Sequence, residues 1–376
     1  MSLTDAEKNR YARHFTLPEV GSEGQEKLKA SSVLCIGTGG LGSPIALYLA
    51  AAGVGKIGLV DDDKVEASNL QRQIIHGESW IGKSKLDSAK SRLLETNPHI
   101  EVVTHHARFT AANAIEIAQD YDVIIDGTDN FPTRYLSNDV SFLLKKPNVY
   151  GSIFRFEGQM SVFAPHLGGP CYRCMLPEPP DPGSVPSCAE AGVLGVLPGI
   201  IGSLQAMEAI KLLLGAGKPP LGKLLHYDAL NTEFRTFNLR KDPQCPLCGD
   251  NPTVTALIDY ENFCGLTPPS TMTEITVTEL RQKLDQGLDG ILIDVRMQQE
   301  YDAARLEQSR HIPLPTIVNA ASGLPKDQNL YIHCKGGVRS ARACAQLADL
   351  GFTKLINIEG GLDAWREQID PALPPA

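Results

Sequence analysis

The chain predicts an α/β fold: a Rossmann-like domain with a mostly parallel sheet, followed by a smaller α/β domain. Three observations support this. Short apolar runs alternate with helical patterns from Ser32 onward. A glycine-rich turn closes the first of those runs. A second, separate alternation begins near Glu274. Strands that alternate with helices imply parallel pairing through crossover connections. At 376 residues the chain is also too long for one ordinary domain.

In the first half, Ser32 to Ile36 is a short buried strand. It ends in Gly37-Thr38-Gly39-Gly40-Leu41-Gly42, and Ser43 to Ala52 follows as a helix. Lys56 to Val60 is the next strand, with Asp61 at its end. Lys83 to Asn97 is expected as a helix, and Ile100 to His105 and Val123 to Asp126 as strands. Tyr150 to Phe163 suggests two paired strands joined near Glu157-Gly158. Residues 177–187 carry five prolines and no period, which indicates an exposed or crossing loop. In the second half, Ile291 to Val295 and Leu330 to His333 are expected strands and Ser340 to Leu350 a helix. These elements place a first domain at 1–249, a linker at 250–272 and a second domain at 273–376.

The formal net charge of −9 argues against a broad nucleic-acid footprint. The N-terminus is polar and lacks the apolar segment of a secretion signal. The longest apolar stretch, Val193 to Leu214, is broken by Gly195, Pro198, Gln205, Glu208 and Lys211. It therefore reads as a buried helix rather than a membrane span. A cytoplasmic protein with neither nucleic acid nor membrane as partner is expected. Nine cysteines without a secretion signal point to metal or catalytic thiols rather than disulfides.

Gly37, Gly39 and Gly42 fit a G-x-G-x-x-G pattern between a strand and a helix. Glycines let the backbone approach phosphates, and the helix N-terminus adds N–H donors. The pattern alone does not choose between NAD and ATP, and a tight turn without ligand is the plain alternative. Asp61, at the end of the next strand, suits ribose hydroxyls. Asp62 and Asp63 crowd beside it, so a cation is expected near the three carboxylates. Ser68-Asn69-Leu70-Gln71-Arg72, Lys85 and Asp129-Asn130 then follow.

Two C-x-x-C pairs, Cys171/Cys174 and Cys245/Cys248, offer four thiolates for tetrahedral zinc. They lie far apart in sequence, and a redox C-x-x-C is the alternative. Cys188, in Pro186-Ser187-Cys188-Ala189-Glu190, is on its own terms a small buried residue. Cys35, Cys264 and Cys344 have no motif around them. In Ile332-His333-Cys334-Lys335-Gly336-Gly337-Val338-Arg339-Ser340, a strand runs into a glycine-containing loop and then a helix. Such a loop aims successive N–H groups inward, where they stabilise a thiolate or persulfide. Lys335 and Arg339 are expected to add positive charge.

The run GTGGLGSPIALYLAAAGVGKIGLVDDDKVEASNLQRQ, with GKSK and GTDN downstream, resembles the MoeB/ThiF branch of the ubiquitin-activating enzyme family. That family adenylates the C-terminal glycine of a small ubiquitin-fold protein. The resemblance implies that Gly40 faces the ATP phosphates and Asp61 the ribose. It puts Ser68, Leu70 and Gln71 in the nucleotide-binding segment, with Asn69, Arg72 and Lys85 holding the triphosphate. Asp129 would bind Mg2+, with Asn130 beside it. Arg13, in RYARHF, would reach the partner subunit's site, which implies a homodimer. The two C-x-x-C pairs would meet in one closed structural Zn2+ site per subunit, and Cys188 would be a secondary thiol on a crossover loop.

The loop at Cys334 resembles the rhodanese active loop. LIDVR (292–296), Glu300-Tyr301, His311-Ile312-Pro313 and GGLDAW (360–365) are also similar, and the likeness runs from Thr273 to Pro371. Phosphatases of related architecture use a loop one residue longer, so the four residues between Cys334 and Arg339 suit sulfur. Asp294 and Arg296 are expected to pair and brace the loop.

Together the resemblances imply an adenylyltransferase joined to a sulfurtransferase. Its substrate would be a MoaD- or ThiS-like carrier ending in Gly-Gly. Its sulfur would come from thiosulfate or a cysteine desulfurase, in molybdopterin- or thiamine-type cofactor synthesis. The alternatives are a NAD-dependent oxidoreductase fused to a sulfurtransferase and a non-catalytic docking scaffold. A dehydrogenase would have no use for Arg72, Lys85 and Asp129 together.

Overall fold

The structure, a computed structural model, describes residues 2–180, 192–265 and 272–374. The chain forms two compact units, with the main division between Phe263 and Cys264.

The first unit is built on an eight-stranded sheet. Its strands are β1 (Ser32–Ile36), β2 (Lys56–Asp61), β3 (Glu101–His106), β4 (Val123–Asp126), β5 (Asn148–Phe154), β6 (Glu157–Phe163), β7 (Lys223–Asp228) and β8 (Glu233–Asn238). The spatial order is β3-β2-β1-β4-β5-β6-β7-β8. The first five strands are parallel, and β5 to β8 pair antiparallel. The buried runs Val33–Ile36 and Ile57–Val60 follow from this, because central parallel strands have both faces covered.

The antiparallel extension through β7 and β8 was not expected. Every residue of β8 is exposed, so no apolar alternation marked it. The β5–β6 hairpin turns at Arg155-Phe156, slightly before the expected join. The helix Val196–Leu214 is long and apolar enough to cross a membrane by composition alone. Here it packs across β5, β6 and the helix Gly42–Ala52. Its buried Gln205 donates to the carbonyls of Asp126 and Val149, at 2.8 and 3.0 Å, which satisfies a polar group inside that face.

Residues 250–272 were expected to be a linker, but the first part of that segment belongs to the first unit. The short helix Tyr260–Phe263 packs on the helix Phe131–Leu143, and buried Tyr260 donates to Asp139 at 2.8 Å.

The second unit holds a five-stranded parallel sheet: β9 (Met272–Ile275), β10 (Gly290–Asp294), β11 (Arg310–His311), β12 (Asn329–His333) and β13 (Leu355–Ile358), in the order β11-β10-β12-β13-β9. Alternate residues of each strand feed opposite faces. Ile293, Leu330 and Ile332 pack with Ala343 and Leu347 of the helix Val338–Asp349. Leu292 and Tyr331 pack with Leu280, Leu362 and Trp365 on the other side. Cys35, Cys264 and Cys344 are buried.

Candidate active sites

In the first unit a cleft of about 310 Å³ opens at the C-terminal ends of β1, β2 and β4. This is where the strand order of an open α/β sheet reverses, the usual position for a ligand. Gly37, Gly39 and Gly40 form one wall; Asp61, Asp62, Asp63 and Lys85 a second; Arg72 and Gln73 a third; Asp129, Asn130 and Arg134 a fourth. Gly42 is fixed by packing, because a Cβ there would lie 2.1 Å from the Gly37 carbonyl oxygen. Gly39 has open space, with Gln73 Nε2 at 3.7 Å as the nearest atom to a hypothetical Cβ. The first observation explains a glycine for fold, and the second leaves room for a ligand against the backbone.

The carboxylates find the partners that their crowding demands. Asp61 accepts from the N–H and hydroxyl of Thr38, both at 2.8 Å, and from the N–H of Asp63 at 3.0 Å. Lys85, nearly buried, pairs with Asp63 at 2.7 Å. His76 stands behind the glycine turn, with Nε2 3.1 Å from the Thr38 carbonyl and Nδ1 3.0 Å from the Ser88 hydroxyl. Burial pushes its imidazole down to about 4. Asp129 makes no hydrogen bond or ion pair among the described residues, so its carboxylate is open to a cation. Asn130 caps the helix Phe131–Leu143, accepting from the N–H of Thr133 at 3.0 Å.

Ser68, Asn69, Leu70 and Gln71 do not line this cleft. Asn69 instead accepts from Arg72 at 3.1 Å and from Gln73 at 3.2 Å, which orients two residues that do. Arg13 is exposed on the helix Ala12–Phe15, outside the cleft of its own chain. Cys188 lies outside the described residues.

The structure also adds residues that sequence reasoning missed. Buried Asp126 accepts from Ser137 at 2.5 Å and from the Thr128 hydroxyl at 2.6 Å, holding the loop before Asp129. Arg134 is buried at the edge of the cleft. Both were hidden because neither belongs to a spaced motif.

Cys171, Cys174, Cys245 and Cys248 come together with all four Sγ atoms within 4.8 Å of one another. Individual Sγ separations are 3.8 Å (Cys171–Cys174), 3.5 Å (Cys171–Cys245) and 3.4 Å (Cys174–Cys248). Thiolates bound tetrahedrally to zinc at about 2.3 Å stand nearly this far apart. The donor set and its spacing fit structural zinc, and three of the four residues are buried.

In the second unit Cys334 is buried at the end of β12. Its Sγ accepts from the Gly337 N–H at 3.1 Å and faces the Ser340 hydroxyl at 3.4 Å. The loop is clasped from outside: the N–H groups of Leu362 and Asp363 donate to the carbonyls of Cys334 and Lys335 at 2.9 and 3.0 Å. This explains the GGLDAW run, since a Cβ on Gly361 would lie 2.4 Å from the Cys334 carbonyl oxygen. Asp294 and Arg296 are fully buried and paired at 2.7 Å, and Arg296 also donates to the Ala304 carbonyl. Arg339 differs from expectation. It makes two 2.6 Å contacts to the Glu300 carboxylate, so its charge is largely compensated.

With this geometry in view, the comparisons decide the family. Residues 11–247 match the ThiF family. The chain belongs to that family. Residues 276–368 of this ThiF-family protein match the rhodanese-like domain. It is 47% identical over 381 residues to the "Probable adenylyltransferase/sulfurtransferase MoeZ" of Mycobacterium tuberculosis, covering 98% of this chain and 95% of that one. It is 42% identical to the "Adenylyltransferase and sulfurtransferase MOCS3" of Aedes aegypti, covering 99% and 90%. The "Sulfur carrier protein adenylyltransferase" of Thermus thermophilus is 54% identical over 270 residues, covering 71% of this chain and all of that one. Among solved structures, E. coli MccB superposes with a TM-score of 0.58 at 23% identity, over 66% of this chain and 75% of its own, a likeness of fold.

Proposed function

We propose that this ThiF-family protein is a cytoplasmic adenylyltransferase and sulfurtransferase that converts the C-terminal Gly-Gly of a MoaD- or ThiS-like carrier into a thiocarboxylate. The observation that carries the reading is one chain holding both an anion-ready cleft with an open carboxylate and a buried cysteine whose sulfur accepts from the Gly337 N–H and faces the Ser340 hydroxyl.

In the first step the carrier's carboxylate oxygen attacks the α-phosphorus of ATP. The bridging P–O bond breaks and pyrophosphate leaves. No side-chain nucleophile is needed, so the protein's task is positioning and charge neutralisation. Gly40 and the helix N-terminus behind it would meet the phosphates. Asp61, already fixed by Thr38, has oxygen lone pairs left for the ribose hydroxyls. Arg72 and Lys85 would offset triphosphate charge. The segment Ser68-Asn69-Leu70-Gln71 would bind the nucleotide beside Arg72, which it holds through the Ser68 carbonyl and the Asn69 side chain. Asp129, beside Asn130, would hold Mg2+, which supplies charge neutralisation at the phosphates. Arg13, free on its own surface, suits a homodimer in which it completes the partner's cleft. The four cysteines would hold one structural Zn2+ per subunit.

In the second step the Cys334 thiolate attacks the sulfane sulfur of thiosulfate or of a cysteine desulfurase persulfide; a new S–S bond forms as the donor's breaks, and sulfite or the desulfurase thiolate leaves. The Gly337 N–H and Ser340 hydroxyl stabilise the anionic sulfur. The persulfide attacks the acyl-adenylate, AMP leaves, and an acyl disulfide forms on Cys334. A second thiol attacks Cys334 Sγ and releases the thiocarboxylate. Cys188 is the candidate, and a dithiol reductant then resets the resulting disulfide.

The test is isotope exchange between pyrophosphate and ATP, with mass spectrometry of the carrier. Asp129→Ala is expected to abolish exchange. Cys334→Ala is expected to keep exchange and stop thiocarboxylate formation. Full thiocarboxylate yield from Cys334→Ala with thiosulfate alone would overturn the role of Cys334, and hydride transfer to NAD would favour the oxidoreductase reading.

A further inference from the structure

Arg134 is buried at the cleft and is neither ion-paired nor hydrogen-bonded to a carboxylate among the described residues. It is 8% exposed. Among the described residues its Nε has no hydrogen-bond partner, and its one side-chain hydrogen bond is a long 3.4 Å contact from a terminal nitrogen to the Thr128 carbonyl. The guanidinium instead lies 5.5 Å from the Phe131 ring centroid and 5.8 Å from that of Tyr150. It forms no ion pair among the described residues. Two nearby acids, Asp126 and Asp129, favour its charge without pairing with it: Asp126 accepts from Ser137 and Thr128, and Asp129 is the carboxylate left open in the cleft. The contrast with this unit's other buried arginine is plain: Arg173 is bidentate on Asp139.

A buried guanidinium whose donors are left open is costly, and such a group in a cleft marks a place where an anion binds. Aromatic faces hold a guanidinium in place without neutralising it. Which anion it meets follows from position. Arg72 reaches the cleft over the glycine turn after β1, its Cγ 3.5 Å from a hypothetical Cβ on Gly40. Arg134 reaches it from the helix after β4, against Tyr150 of β5. In phosphoryl-type transfer the attacking and leaving oxygens stand roughly in line. Arg72 and Arg134 line different walls of the cleft, so an anion held by Arg134 stands apart from one held by Arg72, beside Asp129.

We infer that Arg134 binds the C-terminal carboxylate of the carrier and aims it at the α-phosphorus. This rests on the adenylation reading above and names the residue that receives its second substrate. In the step itself Arg134 neither gains nor loses a proton. It holds one carboxylate oxygen while the other forms the new P–O bond as pyrophosphate departs.

The test uses the full-length protein with the carrier that supports pyrophosphate exchange in the wild type. Carrier KM in the exchange assay, ATP affinity without carrier, and competition by the same carrier amidated at its C-terminus are measured for Arg134→Gln and Arg134→Lys. The expected result for Arg134→Gln is a carrier KM raised about tenfold or more, the scale of one charge-assisted hydrogen bond. ATP affinity should change less than about twofold, as for a group remote from the triphosphate. The wild type should prefer carboxylate over carboxamide, Arg134→Gln should lose that preference, and Arg134→Lys should fall between. An unchanged carrier KM, an equal loss of ATP affinity, or unfolding of both variants would each overturn the inference. Absence of exchange in the wild type with every Gly-Gly carrier would instead sink the adenylation reading.

Discussion

Arg173 lies between two zinc-type cysteines in sequence and grips Asp139 in the interior: Nε reaches one carboxylate oxygen at 3.0 Å and a terminal nitrogen the other at 2.8 Å. Neither side chain reaches solvent. Tyr260 donates a third hydrogen bond to Asp139, and the rings of Tyr135 and Phe263 cover the guanidinium at 4.9 and 4.6 Å. Asp139 sits on the helix that begins just after Asp129 and Asn130. The pair thus joins the cysteine cluster, the helix carrying the cleft residues and the last helix of the first unit. Removing one partner leaves the other charged and buried. Asp139→Ala is expected to destabilise the first unit by about 3–5 kcal/mol, read as a lower denaturant midpoint. Replacing both residues with apolar ones should cost less than the single change.

The cysteine cluster gives a separate prediction. Four thiolates at these separations repel one another unless a cation stands among them. Reduced protein is expected to contain one zinc per chain by elemental analysis. Chelation, or Cys248→Ser, should lower the unfolding temperature of the first unit. Loading of Cys334 with sulfur should persist, since Cys334 lies in the other unit. Stoichiometric zinc loss without any change in that temperature would contradict a structural role.

Gly361 bears on sulfur transfer from outside the loop. A Cβ there would meet the Cys334 carbonyl oxygen at 2.4 Å and that of Lys335 at 2.5 Å, and its φ of +52° already disfavours side chains. Gly361→Ala must push the closing helix away from the loop, weakening the N–H bonds from Leu362 and Asp363. Thiocarboxylate formation is expected to fall at least about tenfold, as when a catalytic group is misplaced by a fraction of an ångström, while pyrophosphate exchange stays at the wild-type rate. Wild-type sulfur transfer in this variant would show that the clasp is dispensable.

Much of this was legible in the sequence because it is local. The strand Ser32–Ile36, its glycine turn and the helix after it are contiguous, as are Cys334 and its loop. The cysteine pairs were legible as pairs, and only the fold brings positions 174 and 248 to 3.4 Å. What escaped was non-local or unpatterned. β8 has no buried face to betray it. Arg134 and Asp126 take their meaning from surroundings supplied by other elements. Arg339 was expected to add positive charge to the loop, and its compensation was not legible because Glu300 stands 39 residues away in sequence. The linker was placed too early because Tyr260, in a stretch without clear periodicity, is anchored by Asp139 from 121 positions upstream.

His76 makes the first unit sensitive to mild acid. Burial holds its pKa at about 4, below the ordinary 6.5, and the Lys85 charge adds to this; the Thr38 carbonyl and Asp61 pull the other way without cancelling it. The folded state therefore resists protonation that the unfolded chain accepts. The stabilisation is fully present above pH 6.5 and is lost as pH falls from there toward 4. Burial moves His105, in the same unit, in the same direction, so it adds to the slope. The unfolding temperature is expected to drop between pH 7 and pH 5. His76→Gln, which can still bond both Thr38 and Ser88, should reduce that drop while lowering stability at pH 7 through imperfect packing. An unchanged pH slope in His76→Gln would show that His76 is not the group responsible. Pyrophosphate exchange should follow the same pH trend, since Thr38 is tied on one side to His76 and on the other to Asp61.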